Sequence, residues 1–147
     1  MVLRRPSWKH TEPLYRGDVA GGVQAPDPKG PRSIVRHITY QDGAGRSTPY
    51  LSVTESLDAA QYFAGTGRVY RTSKSAAGNS QVQHLSRAEL LRLLKGRGQG
   101  DAAGSGAYQV AKARQYVEQW QEHLFDFAPW ATRTPAQVRA GLDTLFT

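Results

Sequence analysis

The spacing of hydrophobic and polar positions changes several times along this 147-residue chain, and each change marks an element. "PLYRGD" is an apolar strand that delivers Arg16 and breaks at Gly17. From Gly17 to Pro49 glycine and proline dominate ("GDVAGGVQAPDPKGP") and predict loop, interrupted by "SIVRHITY", whose alternating apolar residues predict a short strand. "YLSV" follows as a strand. "SLDAAQYFA" then predicts a helix with Ser56 as N-cap, Leu57, Ala60 and Ala64 along one face, and a stop at Gly65 to Gly67. "RVYRT" reads as a strand, "SKSAAGNS" as a turn, and "QVQHL" as its strand partner.

"SRAELLRLLKG" carries the clearest helix signal. Ser86 and Glu89 have capping-box spacing, Leu90, Leu91 and Leu94 form the apolar face, and Gly96 ends the helix. "KGRGQGDAAGSG" has the composition of a flexible connector. From Ala107 a second helix carries Val110, Ala113, Val117 and Trp120 at helical spacing. In "EHLFDF" the period shortens to two, placing Glu122, Leu124 and Asp126 on one face of an extended segment and His123, Phe125 and Phe127 on the other. "TRTPAQVRAGLDTLF" closes as a helix, with Thr134 as cap and Pro135 at the first helical position. There is no internal repeat, and short strands mixed with several helices predict a single α+β domain around a small sheet, preceded by a flexible arm over residues 1–12.

Composition narrows the chemistry. Mean hydropathy of −0.56 and the lack of a long apolar run argue against a membrane span. The basic N-terminus lacks the apolar stretch of an export signal, so a cytoplasmic location, or delivery into a target cell by a secretion system, is expected. Without cysteine there is neither a disulfide nor a thiolate nucleophile. His10, His37, His84 and His123 have no metal-ligand spacing, and neither a phosphate-binding loop nor a dinucleotide-binding glycine fingerprint is present. A net charge of +7 and a pI near 10.0 suit either plain solubility or a polyanionic partner.

Three positions stand out. Arg16, at a strand end before a glycine that lets a ligand approach the backbone, suits bidentate binding of phosphate or carboxylate; the rival is a surface ion pair with Asp18. Ser52 and Thr54 share one face of a strand, where hydroxyls are by themselves ordinary. Glu122 stands at a helix-to-strand junction and by itself would be a solvated carboxylate.

Taken in order, "LYRG", "YLSVT", "AAQYFA" and "QEHLF" resemble the ADP-ribosyltransferase toxin family of the arginine-serine-glutamate type, over about residues 13–127. The resemblance implies small split β-sheets with flanking helices, and a site that cleaves NAD at the nicotinamide–ribose bond and transfers ADP-ribose. It implies that Arg16 holds the NAD phosphates and that the Gly17 backbone meets the nicotinamide amide. Ser52 would orient Glu122, which would bind the ribose and stabilise the positive sugar. Thr54 replaces the family's second serine. Tyr50, Tyr62 and Phe63 are the candidates for an aromatic that packs on nicotinamide, with Phe63 also a candidate for the core. Many members of the family carry Glu or Gln two residues before the glutamate to engage the acceptor, where this chain has Trp120. An indole there could stack on a base or ring, or be the last core residue of its helix, and the apolar stripe favours the core.

The expectation is therefore a mono-ADP-ribosyltransferase toxin or effector whose basic surface tilts the acceptor towards RNA or DNA, with an immunity protein or antitoxin as a further partner. With water as acceptor it would be an NAD glycohydrolase. The rivals are a non-catalytic basic nucleic-acid-binding module and a degenerate interaction scaffold. The resemblance sets a geometric demand: Ser52 and Glu122 within hydrogen-bond reach, and Arg16 facing the same cavity.

Overall fold

A computed structural model describes residues 8–39 and 47–147. Among the described residues, α-helices and antiparallel strands build the α+β architecture that the mixed periodicity predicts. The strands are β1 (Leu14–Asp18), β2 (Tyr50–Thr54), β3 (Arg68–Thr72), β4 (Gln83–Leu85) and β5 (Glu122–Asp126). The helices are α1 (Ile34–Thr39), α2 (Leu57–Ala64), α3 (Lys74–Asn79), α4 (Arg87–Leu93), α5 (Ala107–Trp120) and α6 (Pro135–Leu145).

The sheet runs β3-β1-β2-β5-β4, every neighbouring pair antiparallel. It is one sheet, yet its middle is almost parted. β1 pairs with β3 over five residues and β2 with β5 over five, whereas β1 and β2 share only Tyr15↔Thr54. The expected split into separate small sheets is thus corrected: the five strands form one sheet, because the Tyr15↔Thr54 pairing joins β1 to β2, with a narrow opening beside that single link.

Apolar side chains pack on both faces. On one, Ile34, Val35 and Ile38 of α1, Leu90 of α4 and the Val110–Ala113–Val117 stripe of α5 cover Tyr50 and Leu124. On the other, Ala77 of α3 and Val138, Leu142 and Leu145 of α6 cover Leu51, Val53 and Phe125. The period-two alternation of β5 is what allows one strand to serve both layers. The capping box of Ser86 with Glu89, and the Thr134 cap followed by Pro135, form as their spacing predicts.

Several local expectations are corrected. "SIVRHITY" is helical over Ile34–Thr39, since Ile34, Val35 and Ile38 have the i, i+1, i+4 spacing of a helix face; Tyr40 lies outside the described residues. "SKSAAGNS" is helix α3, capped by Ser73, which accepts from Ala76 N. β4 does not pair with β3; the chain crosses the sheet and β4 joins β5 at the far edge. The predicted connector after α4 is folded, with a 3-10 turn over Gly100–Ala102 that buries Ala102 in the core. In α2 the buried positions are Ala59 and Ala60, and Leu57 faces outward. Of the expected arm, residues 1–7 lie outside the described ones, and Trp8 packs edge-on against His123 with ring centroids 4.5 Å apart.

Candidate active-site cleft

The opening between β1 and β2 is a cleft of about 650 Å³, within the roughly 300–1,000 Å³ typical of small-molecule and cofactor pockets. Arg16, Gly17 and Asp18 form one wall and Ser52, Thr54 and Glu122 the other, with Phe63, Ala64 and Trp120 at the side. β1 does not break at Gly17 as the sequence suggests; the strand runs on to Asp18. The glycine is needed because α2 lies directly on it: a Cβ there would sit 2.1 Å from Ala60 O and 2.4 Å from Ala64 N. Close helix-to-strand packing therefore sets this residue, whatever the backbone meets in the cleft.

Glu122 is positioned from both sides. α5 ends at Gln121, which takes a left-handed backbone (φ 49°), so the chain turns sharply and Glu122 becomes the first residue of β5. The register sets Thr54 opposite Glu122 and Ser52 opposite Leu124, which makes Ser52 the diagonal neighbour of Glu122 on the same face. Ser52 Oγ donates to Glu122 Oε2 at 2.6 Å. The other oxygen, Oε1, is buried without a hydrogen-bond partner among the described residues, although the carboxylate is 2% exposed. A buried acceptor left unmade costs about 1–3 kcal/mol, so Oε1 is poised to accept a hydrogen bond from whatever enters. Burial pushes the carboxyl up to about 7, against the opposing pull of the Ser52 hydrogen bond and the Arg16 charge.

Arg16 reaches across the gap. Its Nη1 donates to the Ser52 carbonyl at 2.8 Å and its Nε to Asp18 Oδ2 at 2.9 Å. The ion pair with Asp18 is not a surface one: the Asp18 side chain is buried, and it also accepts from Val19 N and Gln24 N. Asp18 thereby holds the guanidinium and the start of the following loop together. The geometric demand is met, with Ser52, Glu122 and Arg16 meeting at one cavity.

Thr54, also in the wall, is used locally. Its hydroxyl donates to Trp120 O at 2.6 Å and accepts from Ser56 N at 3.0 Å, tying the end of α5 to the start of α2. The aromatic candidates separate. Tyr50 is fully buried beneath α1 and does not line the cleft, so it is a core residue and not a ring-stacking one; burial raises its hydroxyl well above the ordinary range. Phe63, by contrast, is not core: it is 44% exposed and lines the cleft. Tyr62 is 70% exposed and stacks on Trp120. The core assignment of Trp120 is also corrected, since the indole is half-buried and faces the cleft. Helical spacing continued one turn beyond the part of α5 that α1 and α4 cover.

Two arrangements were not legible as motifs. His37 Nε2 lies 2.9 Å from Ser52 Oγ and Nδ1 lies 3.1 Å from Thr48 Oγ1. Because Ser52 spends its only hydrogen on Glu122, it must accept from His37 Nε2–H, which leaves Nδ1 to accept from Thr48. His37 is thus an inner link of a chain Thr48–His37–Ser52–Glu122. It sits 15 residues from Ser52 in a segment that reads as strand, and only its place on helix α1 brings it in.

On the opposite face, His123 Nε2 contacts Glu55 Oε2 at 2.7 Å, His123 Nδ1 contacts His84 Nε2 at 2.8 Å, and Arg87 grips Glu55 with two nitrogens. Burial holds both histidines below their usual range, His84 at about 4. Burial also raises the Glu55 carboxyl, but the hydrogen bonds from His123 and Arg87 outweigh it and keep it ionised. Glu55–His123 is therefore a carboxylate with a neutral imidazole. These side chains bond in series and do not converge, and among the described residues no group of three His, Cys, Asp or Glu is placed to hold a metal ion. No helix among the described residues is long and apolar enough to cross a membrane. Compared with known proteins, the chain matches no family model, no curated protein and no solved structure.

Proposed function

We propose that the β1–β2 cleft binds NAD, breaks the bond between nicotinamide and ribose, and passes ADP-ribose to an acceptor. One observation carries this: a buried carboxylate, Glu122, with one oxygen braced by Ser52 and the other without a partner among the described residues, in a cofactor-sized cleft beside Arg16. As the glycosidic bond breaks, its electron pair leaves with the nicotinamide nitrogen and positive charge develops at ribose C1′. Ionised Glu122 stabilises that charge and accepts a ribose hydroxyl at Oε1. Ser52 keeps the carboxylate in place. Arg16, held by Asp18 and the Ser52 carbonyl, supplies a fixed positive charge at the wall where the NAD phosphates would lie.

The order of "LYRG", "YLSVT" and "QEHLF" supports the same reading, since the three residues on which the family resemblance rests meet at one cavity. An activity that consumes NAD or modifies an essential acceptor harms the cell that holds it, which suits a toxin or effector. The test is nicotinamide release from labelled NAD by purified protein, alone and with a cell lysate. Release that disappears in Glu122→Gln and falls at least a hundredfold in Arg16→Ala is expected. A protein that releases no nicotinamide under any of these conditions would refute the proposal.

A further inference from the structure

Of the five large hydrophobic side chains exposed among the described residues, four lie in the cleft wall or on α2: Val19, Leu57, Tyr62 and Phe63. Single exposed apolar residues are ordinary, but this clustering is not. Phe63 and Trp120 line the cleft, and Tyr62, outside its lining, packs on both. Tyr62 and Trp120 are nearly parallel (15°, centroids 5.4 Å apart), and Phe63 stands edge-on to Trp120 at 4.7 Å. The cluster is also fixed relative to Glu122. Trp120 precedes it by two residues, and the Trp120 carbonyl is held by Thr54, on the same strand face as Ser52.

We propose that Tyr62, Phe63 and Trp120 stack an unpaired base of a nucleic-acid strand and present it to the ribose at Glu122, making single-stranded nucleic acid the acceptor. This rests on the NAD-cleaving reading above. Tyr62 and Phe63 are exposed and Trp120, half-buried, backs them, so the cluster offers flat apolar surface to the faces of a base, which are free in a single strand and covered in a duplex. Charge points the same way. A chain of net charge +7 attracts a polyanion and repels a cationic side chain, and the carboxylates of the cleft wall are Asp18, already paired with Arg16, and Glu122. Arg68, exposed at the start of β3 directly after the cleft-lining Thr66 and Gly67, rests its guanidinium 4.7 Å from the Tyr70 ring centroid and adds positive charge beside the cleft. In the transfer, the lone pair of a base nitrogen forms the new bond to C1′. The nicotinamide–C1′ pair leaves with nicotinamide, and the proton of the base nitrogen passes to water.

The test is binding of a short labelled oligonucleotide of mixed sequence, as single-stranded DNA, as RNA and as duplex DNA, at fixed ionic strength. Single strands are expected to bind more tightly than duplex and to quench tryptophan emission. Trp120→Ala is expected to weaken single-strand binding roughly 5- to 150-fold and to remove the quench. Tyr62→Ala, at an exposed position, should act in the same direction and stands in if the first variant does not fold. Preference of DNA or RNA identifies the strand type. Unchanged binding in both variants, equal binding of duplex, or no binding of the wild type would overturn the proposal. Nicotinamide release, measured separately, keeps the two readings apart. Trp120-dependent strand binding without release sinks NAD cleavage and keeps the base platform; release without Trp120-dependent binding does the reverse.

Discussion

Replacing Glu122 by glutamine should make the protein progressively more stable relative to the wild type as pH rises while removing its proposed activity, and that gain is set by the burial of this one carboxyl. Its pKa rises from the ordinary 4.5 to about 7 because burial penalises the charge. Between those values the folded protein binds more protons than the unfolded chain, so stability falls as pH rises. The wild type therefore has the full contribution of neutral Glu122 below about pH 4.5 and loses it progressively up to about pH 7, a loss of about 3 kcal/mol at 1.36 kcal/mol per pH unit. Glutamine keeps the acceptor for Ser52 and cannot ionise. Denaturant unfolding of both proteins from pH 4.5 to 8 should show a stability difference that shifts in favour of glutamine by about 3 kcal/mol from the acid to the alkaline end, on top of a pH-independent offset from its buried amide N–H groups. In thermal melts that shift is roughly 6–12 °C for a domain of this size. Contributions from other titrating groups cancel in the difference between the two proteins. A gap that stays constant with pH, or that widens towards acid, would show that Glu122 is not held above its ordinary range.

The same titration predicts that the proposed nicotinamide release, if carried by ionised Glu122, rises with pH through about 7 in single-turnover measurements. His37→Ala removes the donor to Ser52 Oγ and should lower kcat by about 3- to 10-fold with little change in KM, with His37→Gln restoring part of it. Gly17→Ala forces a methyl against the α2 backbone at Ala60 and Ala64 and should destabilise the fold by about 2–3 kcal/mol, read by denaturant unfolding. Asp18→Ala leaves Arg16 without its buried partner and should cost about 3–5 kcal/mol, again read by unfolding.

Much of the scaffold was legible because its signals are local. The Ser86–Glu89 capping box, the Thr134–Pro135 start of α6 and the period-two run from Glu122 to Asp126 each concern neighbours in sequence, and a turn of helix or a stretch of strand satisfies them regardless of the rest. The order of Arg16, Ser52 and Glu122 was legible for the same reason, as short patterns on predictable elements. What the chain could not show alone was which face each element turns to which neighbour. Trp120 continues the stripe of α5 but passes the edge of the helices that cover it, so it faces the cleft, while Tyr50 lies under α1 and is buried. His37 reaches Ser52 only once α1 packs beside β2, and β4 finds β5 only because the chain crosses the sheet. The raised carboxyl of Glu122 and the parting of β1 from β2 belong to tertiary structure as well, because desolvation and strand pairing depend on groups 36 and 70 residues apart in the chain.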